Sequence, residues 1–236
     1  FLEGEEVSLL TFFDGETLIP MLPVQDHKRI GDGDTGLNTG GMGAYAPVSI
    51  YTDSVKKEVE KKILVPTKKG IISDQIDYKG CLYVGLILTI DGPKVIEYNA
   101  RWGDPETEVL IPLLESDLFE IFYHCASGNL KNYEIKWKNQ YTLCVIMASK
   151  GYPERYQSGY PITNLDDCET DNTLIFQAGT KWNEKNEIVT AGGRVLAVVG
   201  IGDTFQLAQK NAYSVAKNVH FKDAYFRSDI GYREKE

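Results

Sequence analysis

Residues 94–108 read KVIEYNARWGDPETE. The first five have strand character, with β-branched Val95 and Ile96 and aromatic Tyr98. The rest sets an acid, an amide, a base and a second acid at the mouth of that strand: Glu97, Asn99, Arg101 and Asp104. Residues two apart in a strand share a face, so Glu97 and Asn99 are expected side by side. One carboxylate and one amide carbonyl are hard oxygen donors, and magnesium takes one or two such groups and completes its shell with phosphate and water. A solvated strand face carries the same pair and is its commoner origin. Arg101 has the geometry to clamp a carboxylate or phosphate in two parallel bonds. Asp104 could hold an ammonium group, or cap a helix with Pro105 at its first position. Taken alone, capping is the commoner role.

Upstream, CLYVGLILTI (81–90) pairs with 94–98 as a hairpin around Asp91-Gly92, and its nearly unbroken apolar run predicts a strand covered on both faces. Residues 6–13 and 16–22 predict another hairpin around Asp14-Gly15. Between the two hairpins lies QDHKRIGDGDTGLNTGGMGAYAP (25–47), polar, glycine-rich and without apolar period. It reads as a long loop, of the kind that is usually functional or disordered. Gly36, Gly40, Gly41 and Gly43 would let backbone N–H groups approach an anion, and QDHKR adds two cations and an imidazole. The spacing fits neither a Walker loop nor a dinucleotide fingerprint. A helix is expected from Thr52 to about Leu64 on Val55, Val59 and Ile63, with a break or a second short helix at Pro66.

Downstream of Asp104 a helix is expected to about Leu114. A second, capped by Asp117 with Glu120 three residues on, should end near Gly128. Residues 129–140 are polar and read as a link between two modules. TLCVIMAS, TLIFQAGTKW, EIVTAGG and RVLAVVGIG then follow as strands in hairpin order, with an amphipathic helix over Asp203–Val219. The fold class is therefore α+β, divided into 1–130 and 131–236.

The chain has 236 residues, 42% hydrophobic and 25% charged, with a net charge of −9. That balance predicts a globular protein and argues against nucleic acid as a partner, since phosphate neutralisation needs a basic surface. No apolar run approaches the roughly 20 residues of a membrane helix, so no membrane is expected. Cys81, Cys125, Cys144 and Cys168 form no CxxC pair, which argues against a zinc site or redox motif and fits a reducing compartment. No GxSxG elbow supports serine chemistry. The chain opens at FLEGEEVS without an initiator Met, as part of a longer polypeptide would.

FLEGEEVS, QDHKRIGDGDTGLNTGGMGAYAP and KVIEYNARWGDPETE, in that order, resemble the phosphoribosylamine–glycine ligase family of the ATP-grasp superfamily. The likeness continues through VIMASKGYP, FQAGTK, GGRVLAV and DIGYR and covers essentially all 236 residues. The resemblance implies the larger ATP-grasp lobe, an antiparallel sheet with helices, over 1–130 and a small α+β C-terminal domain over 131–236. It implies ATP-dependent ligation of glycine to 5-phosphoribosylamine through glycyl phosphate, in the cytoplasm. By the same resemblance Glu97 and Asn99 hold Mg2+ or Mn2+. The Leu2 backbone meets adenine, and Glu6 binds ribose, with Glu5 as second choice. Arg101 and Asp104 are the catalytic pair that meets carboxylate and amine groups. Loop 31–45 closes over the substrates, with Asp34, Asn38, Thr39, Gly40 and Gly41 as binding residues. Two departures from the pattern stand out. The strand YVGLILT lacks the metal-binding acid of many ATP-grasp enzymes. The family's N-terminal half, with its N domain and lysine-bearing ATP lid, is expected as a missing part of the same polypeptide, without which residues 1–236 should be inactive. Two rivals remain: another ATP-grasp ligase, such as a purine-pathway carboxylase, and a nucleotide-binding module without catalysis.

Overall fold

The computed structural model describes residues 1–165, 168 and 170–234. Its first sheet is antiparallel and carries the motif quoted above. Strand β1 (Glu5–Phe13) turns into β2 (Leu18–Pro20). The turn is four residues long, not two, because Asp14 Oδ1 accepts from the N–H groups of Glu16 and Thr17 at 2.9 and 2.6 Å.

Residues 25–47 are not one long loop. They contain β3 (Gln25–Asp26), β4 (Arg29–Gly31), β5 (Thr35–Asn38) and β6 (Gly43–Ala46). Strands β4 and β5 form a ribbon of their own. The helix predicted after them is longer than expected. It comprises α1 (Asp53–Val59), a π-helical turn (Glu60–Leu64) and α2 (Val65–Ser73), and it passes through Pro66 without stopping. Proline lacks an N–H and crowds the preceding turn. The wider turn, in which Val65 N–H donates to Glu60 O, lies directly before it.

Strands β7 (Gly80–Thr89) and β8 (Gly92–Asn99) complete the first sheet, in the order β2-β1-β7-β8. Then come α3 (Glu106–Leu110) and α4 (Leu118–Ala126). Asp117 caps α4 as expected, accepting from Phe119 and Glu120 N–H. Asp104 does not cap α3; its carboxylate is directed elsewhere. Residues 129–140 are no free link either. Leu130 is fully buried, its N–H donates to Asp14 Oδ2 at 2.8 Å, and Lys138 N–H donates to Leu113 O.

The remaining strands are β9 (Tyr141–Ser149), β10 (Thr173–Gln177), β11 (Thr180–Trp182), β12 (Ile188–Thr190), β13 (Arg194–Gly202) and β14 (Ala224–Tyr225), with α5 (Phe205–Ala216) between the last two. The predicted strand TLIFQAGTKW is split into β10 and β11. The second sheet runs β10-β13-β9-β6-β3, with β14 also on β9. Strands from residues 25–46 thus hydrogen-bond to strands from beyond residue 140. Ala208, Ala212 and Val215 of α5 are buried in one apolar cluster with Leu143, Val145 and Val198 of this sheet.

The register of β8 decides which side of the first sheet its polar residues occupy. Leu86 faces Val95, but Gly85 faces Glu97, so Ile96 is an extra residue in a β-bulge. Val95 therefore lies on the face of Leu86, Val84 and Leu9, half-buried against the core. Past the bulge the phase changes. Glu97 and Asn99 join the opposite face, with Gly85 and Tyr83 of β7 and with Glu6 and Ser8 of β1.

Candidate functional site

That opposite face forms the wall of a cleft. Gly85 leaves room for the Glu97 side chain, since a Cβ there would sit 3.2 Å from Glu97 Cγ. Asn99 Nδ2 donates to Glu97 Oε1 at 3.0 Å, so the two side chains converge at the exposed end of β8. Deeper in, the Ser8 and Tyr83 hydroxyls lie 2.6 Å apart and both reach Glu106 Oε1 at 2.9 Å. Glu106 stands in the first turn of α3 and is only 3% exposed.

The floor comes from β3 and the residues after it. Burial, reinforced by the Glu106 carboxylate, pushes the Asp26 carboxyl up to about 7, although the Lys28 ammonium opposes the shift. Lys28 Nζ pairs with Glu6 Oε2 at 2.6 Å. The far side holds Arg101 and Asp104 together with Thr39 and Gly40. Arg101 is exposed and, among the described residues, donates only to the neighbouring Trp102 carbonyl, at 3.0 Å. Asp104 Oδ1 pairs with Arg194 at 2.9 Å.

Loop 39–41 is held firmly. Thr39 Oγ1 donates to Lys28 O and accepts from Gly41 N–H, each at 2.9 Å. Gly40 N–H donates to the Tyr152 hydroxyl at 3.0 Å. Gly41 has φ +114° and its backbone presses on Pro105, where a Cβ would come within 2.5 Å of Cδ; only glycine fits both conditions.

A second recess continues from the first through Asp26 and Lys28 to Asn38, Asp34 and Arg233. Asp34 is enclosed by His27, Tyr232, Arg227 and Arg233, which hold its carboxyl well below the usual carboxylate range. Its contacts therefore tie the loop to the chain's last segment. His27 is fully buried, and burial lowers its pKa; its Nε2 accepts from Gly231 N–H at 2.9 Å.

The structure thus gathers Glu97, Arg101, Asp104, Thr39 and Gly40 around one cleft, with Asn99 against Glu97, Gly41 against Pro105, and Glu6, Asp34 and Asn38 in the adjoining recess. Leu2 is not among them. It lies in the segment before β1, 49% exposed. Residues that sequence reasoning gave no role are Asp26, Tyr83, Glu106 and Arg194. Asp26 and Lys28 repeat the two-apart pattern that singled out Glu97 and Asn99. No sequence signal joins Arg194 to Asp104, 90 positions away.

Glu97 and Asn99 fit a divalent cation. Their side chains are in contact on the cleft face, and one carboxylate with one amide oxygen is a hard donor set. Among the described residues no group of three or more His, Cys, Asp or Glu gathers as a metal site, so the other positions around such an ion would be filled by ligand and water oxygens.

Comparison with known proteins gives a consistent picture. The family model for the ATP-grasp (A) domain of phosphoribosylglycinamide synthetase matches residues 1–107, and that for its C domain matches residues 142–233. A phosphoribosylamine–glycine ligase of Halalkalibacterium halodurans is 48% identical over 231 residues, covering 98% of this chain and 53% of the relative. A bifunctional purine biosynthetic protein of Pichia angusta is 48% identical over 235 residues, covering 99% of this chain and 30% of its own. The crystal structure of phosphoribosylamine–glycine ligase from Thermotoga maritima superimposes with a TM-score of 0.83 at 34% identity, covering 98% of this chain and 56% of that one. The chain spans about half the length of the single-function ligases it matches.

Proposed function

The chain belongs to the phosphoribosylglycinamide synthetase family and has the ATP-grasp fold, and on that basis we propose that it forms part of an enzyme that ligates glycine to 5-phosphoribosylamine at the expense of ATP. The reading rests on one observation: the bulge at Ile96 turns Glu97 and Asn99 onto the face that carries Glu6, and Glu97 thereby lines one cleft with Arg101 and Asp104.

A free carboxylate does not react with an amine, because its negative charge deactivates the carbon and an oxide would have to leave. Transfer of the ATP γ-phosphoryl group to the glycine carboxylate gives glycyl phosphate and ADP. The phosphoribosylamine nitrogen then attacks the acyl carbon, the bond from carbon to the phosphate oxygen breaks, and phosphate departs as the nitrogen loses a proton. Glu6 would accept from the ribose hydroxyls, with Lys28 holding its second oxygen. The Leu2 backbone would meet adenine. Asp104 would hold an ammonium group and Arg101 a carboxylate. The Thr39 hydroxyl and the Gly40 and Gly41 amides are already bonded within the protein, so these residues would act by shape, closing the cleft against water that would hydrolyse the acyl phosphate. Asp34 would anchor that loop and Asn38 would face the substrates from the second recess. Glu97 and Asn99 would hold Mg2+ or Mn2+, which when bound neutralises charge on the phosphoryl group in transfer.

We take 1–130 as the ATP-grasp lobe and 131–236 as the C-terminal domain, a division supported by matches that fall at 1–107 and 142–233. The relative is about twice as long as this chain, and on the ligase reading activity needs an N-terminal half carrying an ATP lid; ligation by residues 1–236 alone would contradict it. The buried thiols of Cys81, Cys125 and Cys144 favour a reducing, cytoplasmic setting, and no helix among the described residues is long and apolar enough to cross a membrane. ADP release that depends on glycine and phosphoribosylamine together, and not on bicarbonate or formate, is the expected result. Release driven by bicarbonate or formate would move the protein to a different ATP-grasp reaction.

A further inference from the structure

Arg194 opens β13, far along the chain from the cleft, yet its guanidinium reaches both segments that form the cleft's far side. Its Nη1 lies 2.9 Å from Gly40 O, 2.9 Å from Asp104 O and 2.9 Å from Asp104 Oδ1. A Cβ on Gly40 would stand 3.0 Å from the guanidinium carbon, so the glycine backbone lies directly against the charge. The preceding peptide is held by Tyr152, which accepts from Gly40 N–H. Asp104 lines the cleft and keeps its side chain half-exposed while Oδ1 is engaged. Among the described residues its second oxygen has no hydrogen-bond partner.

We infer that Arg194 is a positioning residue: it fixes the junction of Gly40 and Asp104 so that the free oxygen of Asp104 is aimed at the ammonium group of the amino-acid substrate. The inference rests on the ligase reading above. Carbonyl and carboxylate oxygens from two chain segments meet at one guanidinium nitrogen. A planar, permanently charged head can serve them together, and a lysine ammonium on a flexible stem does not reproduce that geometry. Arg194 touches no reacting atom in this arrangement. Its effect passes through Asp104 and the loop.

The test uses the full-length polypeptide with Arg194→Ala and Arg194→Lys. Arg194→Ala is expected to raise the KM for glycine about tenfold or more while the KM for ATP stays within about twofold, the size of one lost charge-assisted hydrogen bond. Free guanidinium ion should restore part of the loss. Arg194→Lys should recover the urea midpoint but not the glycine KM, and it carries the test if the alanine variant does not fold. Hydrogen exchange at the Gly40 and Gly41 amides should quicken in both variants. An unchanged glycine KM, or glycine and ATP constants that move by the same factor, would overturn the inference. So would unchanged exchange at these two amides. A wild-type protein without glycine-dependent ADP release would instead remove the ligase reading, and the exchange result would still decide whether Arg194 clamps the loop.

Discussion

Asp26 sits where two carboxylates, Glu106 and Glu6, and two cations, Lys28 and Arg233, act on one buried carboxyl. Burial dominates and the two acids add to it, so the carboxyl rises from 3.8 to about 7. A carboxyl raised on folding binds protons that the unfolded chain has already released. Its contribution to stability is full below the unfolded value and is lost as pH rises through the folded one. Asp26→Asn should therefore flatten the decline in stability between about pH 5 and about pH 8. Urea unfolding at both pH values checks this. Glu108, raised in the same direction, is present in both proteins and cancels. Equal pH slopes in wild type and variant would contradict the placement of Asp26. At this scale the sequence shows pairs that are close along the chain. Glu97 and Asn99 were readable because strand geometry joins them. Lys28–Glu6, 22 apart, and Arg194–Asp104 were not, because only the folded chain brings their segments together.

The bulge in β8 is the element on which the site depends. Strict alternation would place Glu97 and Asn99 on the same side as Val95, facing the core. The extra residue, Ile96, reverses them. Val95→Ala should then cost about 1 kcal/mol, as loss of packed methyl groups does. Ile96→Ala, at a position 46% exposed, should stay within about 0.5 kcal/mol. Urea denaturation separates the two variants, and the reverse order would show that the strand runs without a bulge. The hairpins, α4 and α5 were readable from their periodicity and caps. The bulge was not, because nothing in KVIEYN marks Ile96 as unpaired. The strands within 25–47 were hidden for a different reason: they are short, polar and glycine-rich, and β3 and β6 gain their order from a sheet completed by β9, about a hundred residues later. Pro66 looked like a stop because a π-helical turn has no simple sequence sign.

Across the whole molecule, the sheet β10-β13-β9-β6-β3 joins residues on both sides of position 130. Residues 129–140 pack on the first sheet's helices, and Asp34 binds Arg227 and Arg233 from the last segment. A shared sheet should make unfolding a single cooperative transition. Coincident fluorescence and circular-dichroism midpoints in urea would bear this out, and two separated transitions would show that the halves fold independently. The change in texture near residue 140 was readable in the sequence, but the hydrogen bonds that cross it were not. The site as a whole depends on the face to which β8 presents its polar end. Glu97→Gln in the full-length polypeptide keeps the shape of an exposed side chain and removes its charge. Glycine-dependent ADP release at saturating magnesium is predicted to fall about 100-fold or more, with the urea midpoint unchanged; a turnover close to wild type would contradict it.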